Sequence, residues 1–206
     1  MKKYLFVYFF LGLLISFIMN GCTILPDVER PVQLYTLTPL ASFSGGPIQK
    51  NNSQIIIERP ISSSALETVR LIIKHNTHQL DYLGDVQWVD NTPAMVQNLL
   101  IETLSNSNIF KAVGNETSGL KADFLLKTDL QEFNIFENNQ KISLNIRMNI
   151  KLLSMPDRQI IDTMSIENKI DLSDRQINNV IAGFDTIFHK TMQEIVLFIS
   201  EKTNKL

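Results

Sequence analysis

Lys141-Ile142-Ser143-Leu144-Asn145-Ile146-Arg147-Met148-Asn149-Ile150-Lys151-Leu152-Leu153 alternates apolar and polar residues almost without exception. A period of two puts Ile142, Leu144, Ile146, Met148, Ile150 and Leu152 on one face of a strand, and Ser143, Asn145, Arg147, Asn149 and Lys151 on the other. A long strand with one apolar face belongs to a sheet covered on one side. The flanking segments repeat the pattern. Ala122 to Phe133 sets Phe124, Leu126 and Leu130 against Lys127, Asp129 and Gln131, and Arg158 to Ile170 continues more weakly through Ile160, Met164, Ile166 and Ile170. Turn-rich Glu137-Asn138-Asn139 and Met155-Pro156-Asp157 join the three as a β-meander.

Two amphipathic helices are available to cover the apolar face. Thr92 reads as an N-cap with Pro93 at the first helical position, where its missing N–H costs nothing. Val96, Leu99, Leu100, Thr103 and Leu104 then keep helical spacing until the Asn and Ser residues at 105–108. The chain closes on a longer helix, for which Ser173 and Asp174 are expected to supply the cap and early negative charge, with an end near Lys202. Its stripe runs Ile177, Val180, Ile181, Phe184, Ile187, Phe188, Ile195 and Ile199. The expected fold class is therefore α/β (α+β): a two-layer sandwich, its sheet mostly antiparallel, with the meander covered on one face by two helices. Shorter strands are expected at Gln33 to Thr38, Gln54 to Glu58, Val69 to Lys74, His78 to Leu83, Asp85 to Val89 and Phe110 to Val113, with a Ser-, Gly-, Pro- and Asn-rich loop over Pro39 to Ser53. The Ile55-Ile56-Ile57 run suits a strand buried on both faces.

The N-terminus carries a separate signal. Lys2 and Lys3 precede an apolar run from Leu5 to Met19, a signal-peptide pattern too short for the roughly 20 residues that span a bilayer. The run ends in Met19-Asn20-Gly21-Cys22, which resembles the lipobox of bacterial lipoproteins. Gly21 and Cys22 match it, whereas Asn20 is bulkier and more polar than the usual residue. Cys22 is the single cysteine of the chain, so an exported domain would otherwise carry a free thiol into an oxidising compartment. Three parts are expected: a signal peptide over 1–21, the lipidated Cys22 with a tether over 22–32, and one periplasmic domain over 33–206. Each buried acyl methylene contributes ~0.8 kcal/mol, so several chains make a near-permanent membrane anchor. Removing Lys2 and Lys3 from the 19 basic residues leaves 17 against 21 acidic ones, a net charge of −4. With no basic stripe, nucleic acid is not an expected partner.

Residues able to carry chemistry are sparse. His75 and His78 would point to opposite faces of a strand, with no acidic or cysteine cluster to complete a metal site. His189 sits beside Phe188 and borders the core. Ser62, Ser63 and Ser64 lack a nucleophile context, Gly45-Gly46 leads into no phosphate-binding step, and Asp171 and Asp174 fit the start of the last helix. No catalytic group, cofactor or metal is expected. Trp88 and Tyr82 carry two alternatives: an exposed recognition surface, because aromatics are enriched at hot spots, or packing at the edge of the core. The polar face of the central strand, Asn145, Arg147, Asn149 and Lys151, is the other candidate partner interface.

The order of short motifs from Tyr35 onward resembles the ABC-type transport auxiliary lipoprotein component family. Tyr35-Thr36-Leu37 follows soon after the lipid cysteine. Ile55 to Pro60, Arg70-Leu71-Ile72, Leu80-Asp81-Tyr82, Trp88, Pro93 with Met95 and Val96, and Phe110-Lys111-Ala112-Val113 come in the family's sequence. Asp90-Asn91-Thr92 ahead of Pro93 departs from it, since many members run almost directly from the Trp into an acidic residue and the proline. The resemblance implies a non-enzymatic accessory beside a mammalian-cell-entry (MCE) domain protein, a permease and an ATPase that move lipid between membranes. A structural or assembly lipoprotein of the envelope is the alternative. Thr23, where an Asp would retain a lipoprotein in the inner membrane, implies outer-membrane sorting. The domain is expected to dock a carrier and not to hold lipid in its interior, and a ring or other homo-oligomer could extend its docking surface.

Overall fold

The computed structural model describes residues 31–43, 50–138, 141–155 and 157–204. The signal segment, Cys22 with the tether as far as Arg30, Gly45-Gly46, Asn139 and Pro156 lie outside the described residues. In chain order the elements are β1 (Gln33–Tyr35), β2 (Gln54–Ile57), β3 (Ile61–Ser62), β4 (Arg70–Lys74), β5 (Leu80–Trp88) and α1 (Thr92–Ser107). After them come β6 (Ala112–Gly114), β7 (Phe124–Asn138), β8 (Lys141–Ser154), β9 (Gln159–Leu172) and α2 (Ile177–Thr203).

The meander β7-β8-β9 is antiparallel along its whole length. Leu144, Ile146, Met148, Ile150 and Leu152 of β8 are fully buried, as strict alternation requires. Two bulges redirect its neighbours. In β7 the register shifts between Leu130 and Glu132, so the extra residue Gln131 moves core-facing positions from Leu126 and Leu130 to Phe133 and Ile135, all buried. In β9 the partners jump from Asp162 to Ile160 across Leu152 and Leu153. Ile160 therefore leaves the core face where the alternation had put it, and is 56% exposed.

The other edge of β7 carries three short strands in succession. β2 pairs with Phe124 to Leu126, β3 with Asp129 and Leu130, and β4 with Asn134 to Phe136, each parallel to β7. β6 extends β2 in parallel, β5 extends β4 antiparallel, and β1 closes that end in parallel on β5. The fold is the expected mixed α/β sheet with two helices, and its parallel pairings all involve the N-terminal strands and β6. His78 to Leu83 and Asp85 to Val89 prove to be one strand, β5, bent where Asp85 takes a positive φ of 60°. Of the isoleucine run in β2, Ile55 and Ile57 are fully buried while Ile56 is only half-buried.

Both helices close the apolar face. The cap of α1 is Asn91, one residue before the expected Thr92, and its side chain accepts the Ala94 N–H at 3.1 Å. Thr92 is instead the first helical residue and is buried, its hydroxyl donating to the Thr68 carbonyl at 3.3 Å. The helix ends on Asn108 in the left-handed region at φ 55°, where Asn is tolerated. At the start of α2, Asp174 stands two residues ahead of the capping residue Gln176 and accepts its N–H at 2.9 Å. Val180, Phe184, Phe188, Met192, Ile195 and Ile199 of α2 enter the core. Gly183 lets α2 approach the sheet closely, since a Cβ there would lie 2.6 Å from Leu144 Cδ1.

Candidate docking surface

Trp88 takes the core alternative. It is 2% exposed and meets Phe133 and Phe184 edge to face, with ring centroids at 5.9 and 5.6 Å. It therefore presents no exposed recognition surface. The reason is register: Val86 and Trp88 lie on the helix-covered side of β5, whereas Tyr82 lies opposite Ile72. Tyr82 is half-buried beneath the Arg70 guanidinium, whose carbon sits 3.8 Å from the ring centre. A cation over an aromatic face is favourable and rigidifies both groups.

Asn145, Arg147, Asn149 and Lys151 all line the sheet face away from the helices, and pairing extends them into rows across three strands. Lys127, Lys151 and Thr163 form one row; Asp129, Asn149 and Ser165 the next. Past the bulge come Glu132, Arg147 and Glu167, then Asn134, Asn145 and Lys169, then Phe136, Ser143 and Asp171. Glu132 accepts from Lys74 at 2.9 Å and Arg147 at 3.1 Å, tying β4, β7 and β8 together. Asn149 accepts the Ser165 hydroxyl at 2.7 Å.

The centre of this face holds an uneven account of polar atoms. Asn134 Oδ1, Asn145 Oδ1 and Ser143 Oγ are buried with no hydrogen-bond partner among the described residues. Asn134 is 5% exposed and Ser143 3%. Such groups cost free energy until donors reach them, on the order of 1–3 kcal/mol each. Two open hollows flank them. One, of about 220 Å³, lies between Ser63, Lys74, His78, Gln131 and Asn134, and the other, of about 390 Å³, between Phe136, Lys141, Ser143, Lys169 and Asp171.

Sequence reasoning missed Lys74, Glu132 and Asn134, and put Ser143 on the polar face without counting it in the candidate interface. Strict alternation continued through Gln131 would have put Glu132 and Asn134 on the core side. The available signal was local: Phe133 and Ile135 break the even-numbered apolar series, and a bulge is the economical way to bury both series. His189 stands on α2 away from this face, its Nε2 2.9 Å from the Thr38 carbonyl, while Asp185 accepts the Thr38 N–H at 2.8 Å. Those two side chains pin the segment after β1. His75 Nδ1 lies 3.7 Å from Glu137, and His78 sits at the rim of the smaller hollow.

The model of one family, described as the ABC-type transport auxiliary lipoprotein component, matches residues 35–196. The chain belongs to this family. The family is one of auxiliary lipoprotein components of ABC-type transport systems. Among the described residues no helix is long and apolar enough to cross a membrane. The chain is also similar to the uncharacterized protein bll6063 of Bradyrhizobium diazoefficiens, 25% identical over 186 residues that cover 87% of this chain and 48% of that protein. It thus spans about half the length of the curated relative it matches. Protein XCC0632 from Xanthomonas campestris has a similar crystal structure, with a TM-score of 0.75 at 16% identity over 84% of this chain and 98% of that one. The hypothetical protein CT253 from Chlamydia trachomatis shares the fold at a TM-score of 0.52 and 10% identity, covering 74% and 98% of the two chains. At these identities the two structures speak for the fold of the auxiliary lipoprotein domain alone.

Proposed function

We propose that this auxiliary lipoprotein is a non-enzymatic docking component of an MCE-type ABC lipid transport system, anchored through lipidated Cys22 to the periplasmic side of the outer membrane. The observation that carries the docking role is the helix-free face of the meander. One side of the sheet is closed by α1 and α2, and the other presents Asn145, Arg147, Asn149 and Lys151 around oxygens of Asn134, Asn145 and Ser143 that have no hydrogen-bond partner among the described residues. A partner supplying N–H donors there would bond oxygens that accept no hydrogen bond from the described residues, which favours a specific complex over non-specific contact. The fold supports docking over carriage, because acyl chains need a capacious apolar pocket, and the apolar side of this sheet is filled by its own side chains.

The test uses the full-length chain in detergent and the MCE-domain protein of the same transport system. Arg147→Glu reverses an exposed charge and should weaken binding about tenfold, the upper end for truncating a well-placed interfacial charge being larger still, while loss of the pair with Glu132 lowers the thermal midpoint by a few degrees and leaves the far-ultraviolet dichroism of the folded domain unchanged. Equal affinity of Arg147→Glu and the parent chain sinks the surface assignment, and phospholipid recovered near one per chain from inside the fold sinks docking in favour of carriage. Cys22→Ala should leave the domain unanchored, and fractionation with inner-membrane markers would overturn the sorting.

A further inference from the structure

At the far edge of the meander, β9 pairs with β8 on one side and with no strand among the described residues on the other. A 14-residue edge is long for an unpaired strand, and its unpaired backbone groups form a template for another chain. A groove of about 510 Å³ runs beside it, against α2. On the strand side it is lined by Asp162, Thr163, Met164 and Ser165. Four consecutive residues of a strand alternate between its two faces, so what they share towards the groove is the backbone edge itself. On the helix side the lining residues Glu194, Leu197, Phe198 and Glu201 follow helical spacing and form one stripe. Leu197 is 43% exposed.

A strand edge on one wall and, on the other, a helix stripe with Leu197 and Phe198 between two glutamates is an arrangement that can take an extended peptide as an added strand. Main-chain bonds give affinity, and alternate side chains seat against the helix. The charges say which peptide. Among the described residues that line the groove, three carboxylates, Asp162, Glu194 and Glu201, stand beside one ammonium, that of Lys202, which bonds Asp162 at 2.7 Å and approaches Glu201 at 3.8 Å. A second copy of this chain fits poorly. The strands at the other ends of the sheet, β1 and β6, are three residues each, and pairing β9 with its own copy by a two-fold axis would bring two acidic stripes together.

We propose that the groove between β9 and α2 receives an extended segment of another protein, added to the sheet as a further strand. Its alternate apolar residues face Met164, Leu197 and Phe198, and Lys or Arg at its ends faces Glu194 and Glu201. The bulge at Ile161 and the charged Glu167, Lys169 and Asp171 bracket the receptive stretch, as edges guarded against indiscriminate pairing do. This surface lies at the edge of the sheet and is separate from the outer-face rows, so the inference does not depend on which transport system the protein serves.

The experiment uses the full-length chain in detergent and two short probe peptides of alternating valine and threonine, one ending in arginines and the other in glutamates. The arginine-ended peptide should bind about tenfold tighter and slow amide exchange across residues 162–166. Leu197→Glu should abolish that binding, and Glu194→Lys with Glu201→Lys should reverse the preference while far-ultraviolet dichroism stays unchanged. Equal affinity for the two peptides overturns the proposal, as does protection confined to other strands. A sedimenting dimer whose β9 amides are protected without peptide would overturn it too, by making a second copy the occupant.

Discussion

Replacing Phe184 with Ala tests whether the three-ring junction holds the two layers together. Phe184 is 1% exposed, its ring stacks on Phe133 at 4.9 Å with planes 2° apart, and it meets Trp88 edge to face at 5.6 Å. The junction thus joins α2 to β7 and β5. A core Phe→Ala change costs about 3–5 kcal/mol through lost transfer energy and the cavity left behind. Each ring pair adds about 0.5–1.5 kcal/mol beyond area, so two such pairs put Phe184→Ala near the top of the range. Phe184→Leu keeps most of the apolar volume and loses only the ring geometry, for about 1–2 kcal/mol. At a urea dependence of about 2 kcal/mol/M, a loss of about 5 kcal/mol for Phe184→Ala should lower the midpoint by about 2.5 M. Trp88 is the sole tryptophan, so its emission reads the junction directly: blue-shifted and shielded from acrylamide in the native state, red-shifted on unfolding. A loss under about 1 kcal/mol for Phe184→Ala, or a native Trp88 emission that acrylamide quenches freely, refutes the junction and returns Trp88 to the surface.

The network at the start of α1 should make stability fall in acid. The Arg59 guanidinium bonds both oxygens of Glu67, at 3.1 and 2.7 Å, and holds that carboxyl below its usual range against a smaller opposing effect of burial. Burial pushes Glu116 up, but bonds from the Arg59 and Glu116 backbone N–H groups and the Gln97 amide outweigh it, leaving it lowered. Both folded values lie below the unfolded ones, so their stabilisation is complete above the ordinary carboxylate range and disappears as pH falls through the depressed values. Urea midpoints taken from neutral to strongly acidic pH check this, and Glu67→Gln with Glu116→Gln should flatten the profile; an unaltered slope would discard the assignment. Asn91→Ala should cost about 1 kcal/mol by uncapping α1, with Asn91→Ser recovering most of it. Equal losses for Asn91→Ala and Asn91→Ser in thermal melts would show that the side chain acts mainly through its 3.0 Å bond from Arg59.

The sequence by itself determined the meander, the two helices and the sidedness of the central strand. The alternation from Ile142 to Leu152 has a physical period of two that no tertiary context is needed to read, and every core position it named from Leu144 onward is buried. The helical stripe of α2 was legible for the same reason. What only the tertiary structure decided is how these pieces meet. Whether β2, β3 and β4 run parallel along one edge of β7 depends on residues far apart in the chain, and short apolar runs carry no record of their partner. Trp88 could be an anchor or a core ring until the bend at Asp85 and the pairing of β5 turned it towards Phe184. The outer face was only half visible: Asn145, Arg147, Asn149 and Lys151 were named from alternation, but Glu132 and Asn134 joined them because one extra residue at Gln131 rotates the rest of β7. A bulge changes the facing of every later side chain while leaving composition untouched, so the surface it creates exists only once the strands are paired.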